Sequence, residues 1–260
     1  MLVYPQLTSG ALTQFPVQKR RRMRTVVNVL ADRTTIKLAD PQGEITEWQL
    51  EYTGLSDDEV SALQQYFVAT EGRLNIFTFL DPTANLLAWS DQLDNAAWTK
   101  APLLTITGGV ADPVGGTSAW HLSNSGAGPQ SISQTLQAPG GYMYCSSLYG
   151  RCPQATTVTL LRGTARGDRS LGAAWNRITF SGQGDATAQS VEFGIELPAG
   201  GSMEIFGFQV EPQSSASVYK SSTQGGVYQN AYFRDDVLSF TATEVNRHSA
   251  TINITHANRL

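Results

Sequence analysis

Polar and apolar residues alternate strictly from Glu47 to Tyr52, with Trp48, Leu50 and Tyr52 on one face and Glu47, Gln49 and Glu51 on the other. That period of two predicts a strand with one buried and one wet face. A helical pattern follows at once. Ser56 and Glu59 form a capping box, Asp57 and Asp58 place negative charge at the positive end of the helix dipole, and Val60, Leu63, Tyr66 and Phe67 make one apolar stripe. Gly72 is placed to stop the helix in left-handed geometry. Leu74, Ile76, Phe77, Phe79 and Leu80 then put bulk on both faces of a second strand. Such a strand is either central or at a subunit interface, which makes Phe77 and Phe79 candidate interface residues.

Upstream, Thr34–Leu38 reads as a strand, Asp40-Pro41-Gln42-Gly43 as a type I turn and Ile45–Tyr52 as the returning strand. Residues 1–18, broken by Pro5, Gly10 and Pro16, carry no period and are expected to form an extended arm, either crossing to a neighbouring subunit or lying as a plain surface segment. The unit so far has open sheet edges. At the other end of the chain, Val237–Val245 and Ala250–Thr255 read as a hairpin joined at Asn246, Arg247 and His248, and a hairpin alone is marginal in water. One end needs strands and the other needs a sheet. The expectation is a discontinuous domain, 1–82 and 226–260, with a second domain, 83–225, inserted in it.

The inserted region is rich in Gly, Ser and Thr, and its short alternating runs are separated by glycine turns. Ser131–Leu136, Tyr142–Tyr149, Thr156–Leu161, Asn176–Phe180, Ser190–Leu197 and Met203–Val210 all read as strands. Many short strands at this spacing predict a β-sandwich or jelly roll, so the fold class is mainly β.

The run WQLEYTGLSDDEVSALQQYFVATEGRLNIFTFLDP, within Phe15 to Leu87, resembles the N-terminal domain of minor tail proteins of long-tailed bacteriophages, the distal-tail or tail-hub group. The resemblance implies a β-barrel-like domain with one flanking helix, assembled as a homo-oligomeric, six-fold ring. It also implies tail tube, tape measure and hub proteins as partners, and a virion protein made in the bacterial cytoplasm. A second resemblance covers the insert. NLLAWSDQLDNAAWTK, AAWNRITFSG and IFGFQVEPQSSASVYKSSTQGG are similar to the jelly-roll carbohydrate-binding modules of phage tail and adhesion proteins. The W-x-R strand, the G-x-Q-x-E strand at Gly207, Gln209 and Glu211, and the close at Ser217, Tyr219 and Ser222-Thr223 occur in order; Lys220 and Ser221 depart from the usual spacing residues. This second resemblance implies contact with a host cell-surface polysaccharide.

Composition narrows the choices. Charged residues are 15% of the chain, against about 25% on average, and there are 24 glycines, which suits an all-β protein with large contact surfaces. A net charge of -4 argues against specific nucleic-acid binding. No apolar stretch approaches the roughly 18 residues of a membrane span, and no basic region precedes an apolar core at the N-terminus, so a soluble protein without a cleaved signal is expected. Lys19 to Arg24 holds a basic cluster in which Arg20, Arg21 and Arg22 are candidate assembly residues. A lumen-lining or nucleic-acid role competes there with a solvated strand end or an acid-binding patch at a subunit contact, and in an acidic chain another subunit's carboxylates would suffice as partners. Cys145 and Cys152 are too few for zinc and read as free thiols, with a disulfide as the alternative.

A sugar-binding face needs exposed aromatic rings flanked by polar groups. The candidates are Trp120, beside His121 and a glycine-rich loop, with Tyr142 and Tyr144 on one strand face and Tyr149 on the other; Trp98 and Trp175 are assigned to the core. No G-x-S-x-G, H-E-x-x-H, phosphate loop or dinucleotide fingerprint occurs, and neither catalytic residues nor a metal or cofactor site is assigned. The insert's carboxylates, Asp112, Asp168, Asp185, Glu192, Glu196, Glu204 and Glu211, read as solvated loop and strand-edge charges. A structural protein of a phage tail tip with a glycan-contacting insert is thus the leading expectation. A receptor-binding adhesin and, behind it, a glycan hydrolase are the alternatives.

Overall fold

Ser56 and Glu59 start the helix as their spacing demands. The Glu59 amide donates to Ser56 Oγ (3.2 Å), the Ser56 amide donates to Glu59 Oε2 (3.0 Å), and α1 (Asp57–Ala69) runs from there. Its end is closed by Gly72, whose amide donates to the Phe67 carbonyl at a φ of 63°. A computed structural model describes residues 2–258 of the chain, which is mainly β. The chain path divides into two compact units. One comprises the segment up to Thr8, Thr13–Phe79 and the segment from Tyr228 onward, and the other comprises Ser9–Leu12 and Leu80–Val227.

In the first unit, β1 (Val17–Val29), β2 (Thr35–Leu55), β16 (Arg247–Ala257), β14 (Val227–Phe233) and β3 (Phe77–Leu80) lie in that order in one sheet, and β15 (Thr241–Glu244) joins β16. The sheet is open and does not close into a barrel. Its inner face carries Trp48, Leu50 and Tyr52 from β2 and Ile252 and Ile254 from β16, all buried. Tyr4, Phe79, Phe77 and Phe233 complete this core with Tyr66 and Phe67 of the helix; Trp48 meets Phe79 at 4.9 Å and Phe67 meets Phe233 at 5.1 Å between ring centres.

Four expectations are corrected here. Phe77 (2% exposed) and Phe79 (0%) are spent in the unit's own aromatic core, so they are not available to a neighbouring subunit. The two-faced strand is also shorter than expected, with Leu74 and Ile76 exposed before it. Asp40-Pro41-Gln42-Gly43 is not a turn: β1 and β2 pair from Arg22↔Ile45 to Arg24↔Asp40, so four residues bulge opposite Met23 alone. Proline has no amide for the ladder, and a bulge asks for none. The chain reverses instead at Leu30 to Thr34, where Asp32 Oδ1 accepts from the Thr34 amide and Arg33 has a φ of 70°. Finally, the first residues are no free arm, because Val3 bridges Thr78 in parallel and Tyr4 is buried with its hydroxyl 2.9 Å from that of Tyr52.

The second unit is a sandwich of two five-stranded sheets. One holds β10 (Ala165–Leu171), β9 (Thr156–Arg162), β12 (Val191–Leu197), β7 (Gln130–Leu136) and β4 (Thr99–Lys100) in that order. The other holds β11 (Asn176–Gly182), β8 (Tyr144–Arg151), β13 (Ser202–Glu211), β6 (Ala119–Asn124) and β5 (Leu104–Val110). Ile132, Leu160, Phe193 and Ile195 face Tyr144, Leu148, Met203 and Ile205 across the core, and Tyr144 meets Phe193 edge-on at 5.3 Å.

The motif residues close this sandwich. Glu211, with no exposed surface, accepts from the Ser217 amide (2.8 Å), Ser217 Oγ (2.5 Å) and Gln209 Nε2 (2.7 Å), and Lys220 Nζ lies 3.5 Å away. Tyr219 sits on Gly207, where a β-carbon would come within 3.1 Å of its ring at a φ of 66°. Arg177 donates to the Ser217 carbonyl at 2.5 Å. A buried carboxylate costs several kcal/mol unless it is satisfied, and here the segment that satisfies it is the one it holds down.

Candidate functional site

Strand register brings five side chains into one row across the sheet of β5, β6, β13, β8 and β11. Thr107 stands opposite His121, His121 opposite Glu204 and Glu204 opposite Arg151. Asn176 pairs with Gly150, so the preceding Trp175 stands beside Arg151, whose guanidinium carbon lies 4.8 Å from the indole centre. Alternation turns Tyr144 and Leu148 into the core and Tyr149 and Arg151 to the outer face. His121, Arg151, Cys152, Pro153, Ala173 and Glu204 line a cleft of about 230 Å³ on this face.

Arg151 and Glu204 form the polar centre of the row. Arg151 Nε and Nη2 lie 2.6 and 2.5 Å from Glu204 Oε2, a charge-assisted pair with side chains 34% and 25% exposed. Both nitrogens meet the same carboxylate oxygen, so the pair is joined through one side of the guanidinium. The next row along the strands holds Phe206, Tyr149 and Arg177, with the Arg177 guanidinium 5.4 Å from the Tyr149 ring centre. The opposite sheet offers nothing comparable. Phe193 is the one aromatic residue in its strands and is fully buried, while its outer positions are Ser, Thr, Glu and Asp together with Leu161, Arg166 and Gly194.

Of the residues expected to face a sugar, Tyr149 alone lies on this outer face beside the cleft. Trp120 is half-buried and turned the other way; its Nε1 donates to the Asp91 carbonyl (3.0 Å) and its ring lies against Gly108. Tyr142 precedes β8 and is half-buried, and burial pushes its phenol up to about 12. Tyr144 is corrected outright. It is fully buried, its hydroxyl donates to the Pro139 carbonyl (2.8 Å), and desolvation raises its phenol above the usual range.

Trp98 is buried, with Nε1 on the Trp89 carbonyl. Trp175, assigned to the core, stands half-buried in the outer row. Sequence pattern alone assigns no binding role to Arg151 or Glu204, although the two-residue step from Tyr149 to Arg151 puts those two side chains on one face. Their union with Glu204 and His121 depends on pairing between distant strands.

In the first unit Arg20, Arg21 and Arg22 are exposed, and their charge is partly met within the chain. Arg21 pairs with Glu44, Arg22 Nη2 lies 3.3 Å from Glu47, and Arg20 Nη2 reaches Gln18 at 3.4 Å. Both cysteines are free and buried; burial, with Glu211 nearby, pushes the Cys145 thiol up to about 11. Among the described residues no group of three or more His, Cys, Asp or Glu is placed to hold a metal ion.

No family model and no curated protein matches the chain. Solved structures do. An enzymatically active domain of tailspike protein 4 of bacteriophage CBA120 is 17% identical with a TM-score of 0.40; the match covers 51% of this chain and 22% of that one. The CBM22-1 xylan-binding domain from Paenibacillus barcinonensis Xyn10C is 11% identical, with a TM-score of 0.38 and coverage of 51% and 94%. The module TmCBM61, solved in complex with beta-1,4-galactotriose, is 10% identical, with a TM-score of 0.37 and coverage of 48% and 97%.

Proposed function

We propose that this chain is a structural protein of a phage tail tip whose sandwich unit contacts glycan on the host surface. The observation that carries the glycan contact is the row Thr107, His121, Glu204, Arg151 and Trp175 on one outer face, of which His121, Glu204 and Arg151 line the cleft. An indole offers a flat apolar surface for the C–H face of a pyranose, and the donor and acceptor groups beside it suit hydroxyls. Hydrolysis gains no support from the cleft, because its lining holds a single carboxylate and glycosidases of the common kinds use two. Retardation of the purified chain in gels containing host envelope polysaccharide tests the reading. Trp175→Ala is expected to weaken binding by roughly tenfold or more with little change in melting temperature. Equal retardation of both proteins removes the cleft from the binding site.

The second half of the reading, self-assembly into a ring, rests on the resemblance of the Glu47–Pro82 run and on the β1–β2 ribbon. Val26 stands opposite Leu38 and Ile36 follows on the same face, 37%, 51% and 41% exposed. A two-stranded ribbon with an apolar face gains stability from a neighbour that covers it. Residues 17–40 carry seven cations and two anions, whereas the rest of the chain carries eleven cations and twenty anions. Copies of one chain are therefore electrostatically suited to meet through this ribbon, in the virion and next to tube, tape measure and hub proteins.

A further inference from the structure

We infer that the apolar face of the β1–β2 ribbon seats in a trough on the outer face of the six-stranded sheet of a second copy; this rests on the reading that copies assemble through the ribbon. The trough has a volume of about 500 Å³ and is lined by Ile45, Ala257, Asn230, Tyr232 and Ile76. Ile45 pairs with Ala257, and Asn230 precedes the pair of Ala231 with His256, so three of these residues form one row across β2, β16 and β14. Alternation turns that row and Tyr232 away from the side that holds Trp48, Ile254 and Phe233 in the core. Ile76 leads into β3, the next strand of the sheet, and is 57% exposed. Three strand spacings separate β2 from β3, so the trough is about 14 Å long.

The ribbon offers a stripe of the same length and chemistry. Val26 with Leu38, Ile36 and, by the same alternation, Leu30 lie on one of its faces. From Val26 to Leu30 the strand advances about 13 Å. The ladder between β2 and β16 ends at Ile45, beyond which residues 35–40 pair with β1 alone, and residues 18–39 are all exposed. The ribbon therefore leaves the sheet beside the trough without lying on it, and the stripe is free for another copy's trough. Charge favours the same match. Residues 41–79 and 228–258, the rest of the first unit around the trough, carry three cations and ten anions, against seven and two in residues 17–40. The ribbon's cations approach an acidic surround while its valine, leucine and isoleucine side chains leave water. The contact is head-to-tail, one copy giving its ribbon and the next its trough, which is the kind of interface that closes a ring.

The test places photoreactive benzoylphenylalanine at position 36 of the full chain, and separately at position 30, and maps the attachment site by mass spectrometry. Illumination is expected to join two copies, with the attachment among the trough residues. Ile76→Glu in the same protein would force a charge into the contact, so it is expected to lower the adduct yield by at least about tenfold while the melting temperature holds. Attachment elsewhere on the neighbour, an oligomer that gives no adduct from either position, or a yield unmoved in a folded Ile76→Glu protein overturns the trough as the acceptor and leaves assembly through the ribbon standing. A wild-type chain that light scattering finds monomeric at every concentration overturns the assembly reading itself, and this inference with it. The attachment map decides between these outcomes even where Ile76→Glu does not fold.

Discussion

Tyr144 and Tyr149 show how far one residue's fate depends on parity. They lie five positions apart in one strand, yet Tyr144 fills the core and Tyr149 lies on the outer face. The same rule separates Cys145 from its neighbours. By parity it lies with Ser147 and Tyr149, between Glu211 and Ser181 of the neighbouring strands, yet it is only 2% exposed. Thiolate is the reactive form, and burial raises the Cys145 thiol to about 11 and raises that of Cys152 as well. Native protein at pH 8 is therefore expected to give almost no thiol reaction with a disulfide reagent, and two equivalents in denaturant. Rapid reaction of either thiol without denaturant contradicts its burial.

At the scale of elements, the helix start and the ribbon make separate predictions. Ser56→Ala removes the acceptor for the Glu59 amide and is expected to cost about 1 kcal/mol of stability, read by denaturant unfolding. Burial raises the Glu59 carboxyl, but hydrogen bonds from Thr8 and Ser56 outweigh it and hold the group below its ordinary range. A depressed carboxyl stabilises the fold above its unfolded value of about 4.3, and that contribution is lost as pH falls through the folded value. The stability gap between wild type and Glu59→Gln is accordingly expected to shrink as pH falls from about 5 to about 3; a gap that widens contradicts the assignment. In the ribbon, Val26→Asp with Leu38→Asp places two like charges directly opposite each other on an exposed face. The proposed assembly through the ribbon predicts that light scattering finds a smaller particle for this variant than for wild type while circular dichroism keeps its β signal. Equal particle sizes rule the ribbon out as a contact.

For the molecule as a whole, the order β1, β2, β16, β14, β3 puts the C-terminal strand at the middle of a sheet begun near the N-terminus. A fragment of residues 1–79 lacks β14 and β16 and leaves the apolar face of Trp48, Leu50 and Tyr52 without its neighbours. It is expected to lack a cooperative melting transition, whereas Leu80–Val227, which contains all ten sandwich strands, is expected to melt cooperatively. A cooperative 1–79 fragment contradicts the dependence on β16.

Local chemistry was legible in the residues themselves. The capping box, the one-sided strand from Glu47 to Tyr52 and the short alternating runs of the sandwich follow from side-chain period and backbone hydrogen bonding within a few positions. The turn assigned to Asp40 to Gly43 failed because proline and glycine serve a bulge as well as a turn, and only the partner strand tells them apart. The cleft was hidden for the same reason at longer range. His121, Glu204, Arg151 and Trp175 come from four separate stretches of chain, and they meet only because strand register, set by the packing of the buried face, lines them up on the other one.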